Sequence, residues 1–405
     1  MSDDASSTRD ATASRVRDFY EGHPYPPPVD DIDSYRRAWD DRRRRAESFL
    51  MWPAEPYRGD RSILVAGCGT MQAAHYAVRW PGARVVGIDV SERSLEFERG
   101  LKSKYCLENL ELRQLPIESA GELAETFDHI VCTGVLHHLA DPDEGLLALR
   151  SVLAPAGAIH LMVYAPYGRA GIYMLAEYCR RLGVTATETG VAELAASLKA
   201  LPEDHPIVPL LRNAPDFASI AGLADALLHP NDRAYCVPEL LAFLRRGGFA
   251  FGRWLRRAPY LPVCGAIAST PHAALLAALS VEEQYAAMEL FRGTMVRHHA
   301  IAYSDETGRS QADFRGGGWA GYVPIRLPDT IAVRDNLPPG SVAVLINRNH
   351  TYRDLYLPIA AQEERWWTRI DGERTIEEIT GSSDLPGAAA FFARLYDWDQ
   401  VIFCR

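Results

Sequence analysis

The sequence predicts an α/β fold, a mostly parallel sheet with helices on both faces, and three observations between Ser62 and Val163 predict it. Short apolar runs alternate with amphipathic stretches of helical period, the pattern of strand, crossover helix, strand. A glycine-bearing turn, Gly67-Cys68-Gly69-Thr70, joins the first strand to the first helix. The second strand ends on a carboxylate, Asp89. In order, Ile63 to Ala66 reads as a buried strand, Met71 to Trp80 as a helix and Ala83 to Asp89 as a second strand. Ser91 to Lys104 reads as a helix, with Ser91 and Ser94 as candidate N-caps. A third strand begins at Leu110–Leu112, Phe127 to Cys132 is a fourth, Asp143 to Leu153 a helix and Ala158 to Val163 a fifth strand.

Outside that region the pattern changes. Residues 1–15 are polar and aperiodic, the composition of a disordered arm. Residues 16–60 read as an N-terminal helical segment: helical spacing from Val16 to Tyr20, an extended His23-Pro24-Tyr25-Pro26-Pro27-Pro28 and a helix from Tyr35 to Phe49. Residues 61–164 form the alternating core. Residues 165–236 read as a helical cap or insertion, with helices over Gly168–Ala200 and Asp216–Leu228 around the proline-bearing Leu201–Pro215. Residues 237–315 return to the core, with a helix and turn over Val237–Phe249 and a helix over Ser280–Ala300. Residues 316–405 shift to Gly, Pro and β-branched residues, a small C-terminal α+β module in which Thr375 and Glu378 fit a capping box.

Composition narrows the function classes. The net charge of −10 and a sequence pI near 5.7 leave no general footprint for DNA, so none is expected as a partner. Lys102, Lys104 and Lys199 are the only lysines, a bias toward arginine that reads as compositional. Seven cysteines without a Cys-x-x-Cys spacing indicate neither a disulfide framework nor a zinc ribbon. The polar N-terminus and the lack of any long apolar run argue against a signal peptide or membrane partner, so a cytoplasmic location is expected. No metal is expected: His298 and His299, if helical, point about 100° apart, and His350 has no partner identifiable from sequence. A homodimer is compatible with the chain.

Gly67 and Gly69 let the backbone turn sharply and approach a ligand at a helix start. Asp89, twenty residues after Gly69, can accept hydrogen bonds from both ribose hydroxyls, so the pair points to an adenosine-bearing cofactor. A dinucleotide loop requires a third glycine where this chain has Gln72, which favours a cofactor without phosphate.

Ile63 to Thr70, Gly87-Ile88-Asp89 and Gly134-Val135-Leu136-His137-His138-Leu139-Ala140-Asp141-Pro142 resemble, in order and spacing, the landmark motifs of class I S-adenosylmethionine-dependent methyltransferases. The chain is most similar to a bacterial subgroup that opens with a Phe-Tyr-Glu...Pro-Tyr-Pro segment, here Phe19 to Pro26, and carries an Ala-Gly-Cys-Gly-Thr loop. The likeness covers about residues 15–260 and implies a Rossmann-like sheet, with S-adenosylmethionine as cofactor and S-adenosylhomocysteine as product. It implies Gly67, Cys68, Gly69 and Thr70 at the methionine end, Asp89 at the ribose, and Leu115, Pro116 and Ile117 at the adenine edge, with Gln72 and Val90 as further cofactor-binding candidates. Thr133, Gly134 and Val135 then lie on the sulfonium side, with His138 as a further cofactor-binding candidate and Tyr20 and Tyr25 in an N-terminal lid. Two positions depart from the usual motif, Val65 where many members have an acid and Met71 where many have glycine. The Ile370–Ile379 segment resembles a winged-helix-like module of peptide-modifying systems; binding a peptide and buttressing the core remain alternatives.

His137 and His138 follow the fourth strand, at the edge where ligands bind in open α/β sheets, and are the candidate base or positioning residues. Tyr164, Tyr167, Arg169 and Tyr173 follow the fifth strand, and the polar stretch His229 to Tyr235 returns from the cap, so these four with Arg233 and Tyr235 are the substrate candidates. Their packed or surface-paired alternatives stand beside that reading. The expectation is methyl transfer to nitrogen or oxygen of a small molecule or short peptide, plausibly in specialised metabolism. A non-catalytic cofactor-binding regulator or scaffold, and a protein or RNA methyltransferase, are the competing readings.

Overall fold

The computed structural model describes residues 2–214, 217, 219–304, 312–381 and 385–405. Expectations falling on Met1, on the helix start at Asp216 and on residues 305–311 lie outside them. Three helices lead the chain, α1 (Ser2–Gly22), α2 (Asp33–Ala38) and α3 (Asp41–Met51). The following strands are β1 (Ile63–Ala66), β2 (Val85–Asp89), β3 (Leu110–Gln114), β4 (Phe127–Thr133), β5 (Leu153–Tyr164), β6 (Ala250–Trp254) and β7 (Arg297–Tyr303). They form one sheet of order β3-β2-β1-β4-β5-β7-β6. The first five run parallel, and β7 pairs antiparallel with β5.

This order has a physical cause. All four residues of β1 are buried, as a continuous apolar run in the middle of a parallel sheet must be. The connections leave β1 toward β2 and β3 on one side and resume at β4 on the other. That reversal opens a crevice beyond the carboxyl ends of β1 and β4, where open α/β sheets bind ligands.

Helices between the strands are α4 (Gln72–Arg79), α5 (Glu92–Tyr105) and α6 (Pro142–Ser151). Ser91 caps α5 by accepting from the Ser94 amide at 3.1 Å, so of the two serine candidates it is Ser91 that caps. Asp141 caps α6 ahead of Pro142 in the first helical turn. The cap holds α7 (Ala170–Leu182), α8 (Glu188–Leu198), α9 (Val208–Asn213) and α10 (Ile220–Leu228). The continuous helix expected over Gly168–Ala200 is broken at Gly183, which ends α7 in the left-handed conformation. Ile172, Leu175, Val191, Leu194, Leu223 and Leu227 bury a separate cap core together with Phe19 of α1.

The chain divides into two compact units, the first made of residues 1–38, 59–251 and 293–305. In this unit the expected disordered arm is instead helical from Ser2. Ala13, Val16 and Tyr20 recur at helical spacing on one face of α1, and all three line a cavity. Arg9 pairs with Asp141 at 2.9 Å. The composition of residues 1–15 hid this because the apolar face is narrow. The expected helix over Ser280–Ala300 is also corrected: α13 (Val281–Arg292), preceded by α11 (Val237–Arg246) and α12 (Ala273–Ala277), stops at Gly293, whose φ is +61°. The chain then enters β7, so His298 and His299 sit on opposite faces of a strand. His299 Nδ1 lies 3.1 Å from His160 Nε2.

The second unit takes residues 39–58, 252–292 and 306–405. It therefore includes α3, expected in the N-terminal segment, and much of the expected return to the core. Asp40 starts α3 by accepting from the Arg43 amide at 2.8 Å, which splits the helix expected over Tyr35–Phe49. Strands β8 (Val323–Arg326), β9 (Thr330–Val333), β10 (Ala343–Asn347), β11 (Leu357–Ile359) and β12 (Val401–Cys404) make a three-stranded and a two-stranded sheet. Helices α14 (Ala361–Arg369), α15 (Ile376–Thr380) and α16 (Leu385–Asp397) complete the unit. Its core packs Phe49, Trp366, Trp367, Phe391, Phe392 and Phe403. The Thr375–Glu378 capping box is formed, and His350 lies 3.4 Å from the buried Asp399. No described helix is long and apolar enough to cross a membrane.

Candidate active site

The turn after β1 is set by two glycines that no other residue replaces without strain. Gly67 and Gly69 have φ of +72° and +57°. A Cβ at Gly67 would meet Val135 Cγ2 at 2.4 Å, and one at Gly69 would meet the Tyr25 carbonyl oxygen at 2.7 Å. The glycines thus let both the loop after β4 and the proline segment close on the same turn. Thr70 holds the proline segment by donating to the Pro26 carbonyl at 2.7 Å. It is fully buried and is not among the cavity-lining residues, unlike the other expected cofactor residues.

Asp89 is fixed at the end of β2. One carboxylate oxygen accepts from the Gly69 amide at 2.8 Å and the other from the Ser91 amide at 2.9 Å. A carboxylate offers about four lone-pair sites, so acceptor capacity remains on the cavity side. Burial raises its pKa, and the backbone donors oppose that. Gln72 ties the start of α4 to the end of β4 by donating to Thr133 Oγ1 at 2.6 Å.

A second carboxylate, not anticipated from sequence, organises the same turn. Glu98 on α5 is fully buried and accepts from the Ala73 and Ala74 amides at 2.7 and 2.9 Å. It satisfies two amides at the start of α4 that a helix leaves without partners. Burial pushes its carboxyl up to about 8. Met71 occupies the N-cap of α4 and lines the cavity, while Val65 lies inside β1.

The cavity, about 410 Å³, lies along this crevice. Gly67, Cys68, Gly69, Gln72, Asp89 and Val90 line one end, with Leu115, Pro116, Ile117, Thr133, Gly134 and Val135 beside them. Tyr20, His138, Tyr164, Arg169 and Asp225, which contact one another, line the other, Tyr25 lies against Gly69, and Ile172, Leu210, Ala214 and Phe217 of the cap add an apolar wall.

Asp225 is the centre of the polar end. It accepts from the Tyr20 hydroxyl at 3.2 Å and from the Tyr164 hydroxyl at 3.4 Å. Burial pushes its carboxyl up to about 7. Arg169 lies 3.5 Å above the Tyr164 ring and reaches Asp232 at 3.5 Å; burial pushes the Asp232 carboxyl up to about 6. Asn231 stitches the cap to the loop after β4, its side chain donating to the His138 and Leu139 carbonyls at 3.0 and 2.8 Å.

The candidate residues separate clearly. His138 lines the cavity, with burial pushing its imidazole down to about 4. His137 is fully buried, packs 4.0 Å from the Tyr164 ring and is not a lining residue, so its place is behind the wall. Tyr164 and Arg169 line the cavity, but four other substrate candidates do not. Tyr167 is exposed, and Tyr173 stands behind Arg169, receiving its Nε–H at 3.3 Å. Tyr235 is core, packed 5.1 Å from Phe243, with Arg233 stacked above it at 4.7 Å. Asp225 was missed because a lone Asp in an apolar helix carries no local signal; only the fold brings it to Tyr20 and Tyr164.

Residues 64–159 match the family model of a methyltransferase domain. Over 172 residues the chain is 38 % identical to an uncharacterized protein of Synechococcus sp., covering 42 % of this chain and 41 % of that one. Ubiquinone biosynthesis O-methyltransferases of Acinetobacter baumannii and Bordetella avium are 27 % and 32 % identical, over 38 % and 34 % of this chain and 62 % and 60 % of theirs. The chain thus spans less than two thirds of these curated relatives. The solved structure of PKMT2 from Rickettsia typhi superposes with a TM-score of 0.62 at 15 % identity, covering 94 % of this chain and 76 % of that one. That protein is also known in complex with AdoHcy. The likeness establishes a Rossmann-like methyltransferase fold.

Proposed function

We propose that the chain is an S-adenosylmethionine-dependent methyltransferase acting on nitrogen or oxygen of a small molecule or short peptide. One observation carries this reading: a single cavity joins the glycine turn and Asp89 to a polar cluster under an apolar cap wall. The residues fit the cofactor. The glycine turn lines the cavity where the methionine moiety would lie, the spare lone pairs of Asp89 suit two ribose hydroxyls, and Val90, Leu115 and Ile117 offer an apolar slot for adenine. When bound, S-adenosylmethionine supplies an electrophilic methyl group on a sulfonium.

The chain's own work is then orientation and proton management. Tyr20 and Tyr25 line the cavity, where an aromatic ring can attract a cation, and Glu98 ties the head of α4 to α5. The departures at Val65 and Met71 are compatible with binding, because Val65 lies within the strand and Met71 leaves the cavity open. The match to a methyltransferase domain and the methyltransferase names of two relatives support the reading.

Calorimetry tests it. The folded chain is expected to bind S-adenosylmethionine and S-adenosylhomocysteine, and a folded chain that takes up neither overturns the proposal. Binding without methyl transfer to any amine or hydroxyl compound would favour a regulatory role.

A further inference from the structure

Beside the polar part of the cavity lie two clusters with the composition of metal sites, of which His138 and Asp225 line it. His138, Asp225 and His229 bring ligand atoms within 4.8 Å of one another, as do His137, His138 and Asp232. The hydrogen bonds of Asn231 decide against metal at His229 and against ligation through His138 Nδ1. Its amide donates to His229 Nδ1 at 3.1 Å, so the neutral His229 ring carries its proton on Nε2. Its carbonyl lies 2.9 Å from His138 Nδ1, which must donate, leaving the lone pair on Nε2. A metal needs a lone pair from every ligand. His229 has its lone pair engaged, and His138 approaches Asp232 at 3.9 Å through Nδ1, the nitrogen that carries the proton.

What remains is a site for a proton. Asp225 lines the cavity and is only 3 % exposed. Tyr20 from α1 and Tyr164 from β5 each donate to one of its oxygens through long hydrogen bonds, so lone pairs remain for a third donor. His138 is anchored through Asn231, and the Arg169 guanidinium is the nearby lining cation, paired with Asp232. An ammonium acceptor would enter against both Arg169 and the cofactor's sulfonium. A hydroxyl enters neutral, and the negative charge it develops is favoured by those same two cations. Ile172, Leu210 and Phe217 require that the hydroxyl be carried on an apolar body.

We propose that the methyl acceptor is a weakly acidic hydroxyl compound, phenolic or enolic, on an apolar body, and that Asp225 takes its proton. This rests on the methyl-transfer reading above. The acceptor's O–H bond breaks as its proton passes to the Asp225 carboxylate. The acceptor oxygen bonds to the methyl carbon as the methyl–sulfur bond breaks, its electron pair staying on sulfur. The products are a methyl ether and S-adenosylhomocysteine. The raised Asp225 carboxyl suits a base working near neutrality.

The probes are para-butylphenol and para-butylbenzylamine, which share an apolar body and differ in the reacting group. Each is titrated calorimetrically into the full chain saturated with S-adenosylhomocysteine, and each is offered with S-adenosylmethionine for turnover. The phenol is expected to bind at least tenfold more tightly than the amine and to be methylated. Asp225→Asn is expected to slow transfer by about a hundredfold, the usual size of a general-base contribution, while S-adenosylhomocysteine affinity is unchanged; Asp225→Glu restores part of the rate. A chain that binds S-adenosylhomocysteine but prefers the amine, binds neither probe, or retains its rate in Asp225→Asn overturns the proposal and leaves the methyl-transfer reading standing. A chain that cannot bind S-adenosylhomocysteine overturns both.

Discussion

The Tyr20 hydroxyl donates to the Asp225 carboxylate at 3.2 Å, joining the N-terminal helix to the last cap helix across 205 residues of sequence. The bond makes the wall of the cavity depend on both the N-terminal helix and the cap, and it holds a carboxylate that is only 3 % exposed. Stability should record this as a pH dependence.

Asp225 is raised to about 7, so between the ordinary carboxylate range and that value the native chain holds more protons than the unfolded one. Its contribution to stability therefore falls as pH rises through that window. His138 is lowered from 6.5 to about 4, so there the unfolded chain holds more protons and stability rises with pH. The two slopes oppose each other where they overlap. Asp225→Asn should gain stability relative to the parent as pH rises through its window, and His138→Gln should lose it relative to the parent through its own. Urea unfolding across that range checks the signs; a difference constant with pH for either variant contradicts its assignment.

Asp89→Ala should weaken S-adenosylhomocysteine binding more than tenfold. The variant removes the ribose acceptor and also leaves the Gly69 and Ser91 amides without their partner. Titration calorimetry decides it, and an unchanged dissociation constant places the ribose elsewhere.

Glu98→Ala tests the unanticipated carboxylate. Two buried amides at the head of α4 lose their acceptor, at a cost of about 2–3 kcal/mol. Chemical denaturation should show that loss, and cofactor affinity should drop with it because α4 starts on the cavity wall. A variant as stable as the parent would mean that water replaces the carboxylate.

Gly69→Ala combines a left-handed backbone with a 2.7 Å approach to the Tyr25 carbonyl oxygen. Destabilisation of about 1–3 kcal/mol is expected. Proteolysis should become faster in the His23–Pro28 segment, because that segment must withdraw to admit the methyl group. Unchanged cleavage there would show that the turn yields instead.

The sheet and cofactor loop were readable because their signals are local. Buried parallel strands need unbroken apolar runs, and Gly67, Gly69 and Asp89 each answer a geometric demand within a few residues of a strand end. The cap's reactive end was not. Tyr164 and Arg169 were legible from their place after β5, yet Tyr167 and Tyr173 shared that logic, Arg233 and Tyr235 followed from the return of the cap, and none of these four lines the cavity, because sequence position fixes the element but not the side of it that faces the cavity. The arm expected to be disordered, residues 1–15, extends the helix expected from Val16 back to Ser2, and Ala13 within it lines the cavity, a role it gains only from the surface opposite.

The sequence by itself therefore determined the α/β fold and the turn on which a cofactor would rest. Only the tertiary structure decided which titratable groups are buried together. Burial and charge act through space, so Asp225, silent in its own helix, becomes a cavity-lining carboxyl raised by desolvation, with the hydrogen bonds from Tyr20 and Tyr164 opposing that rise.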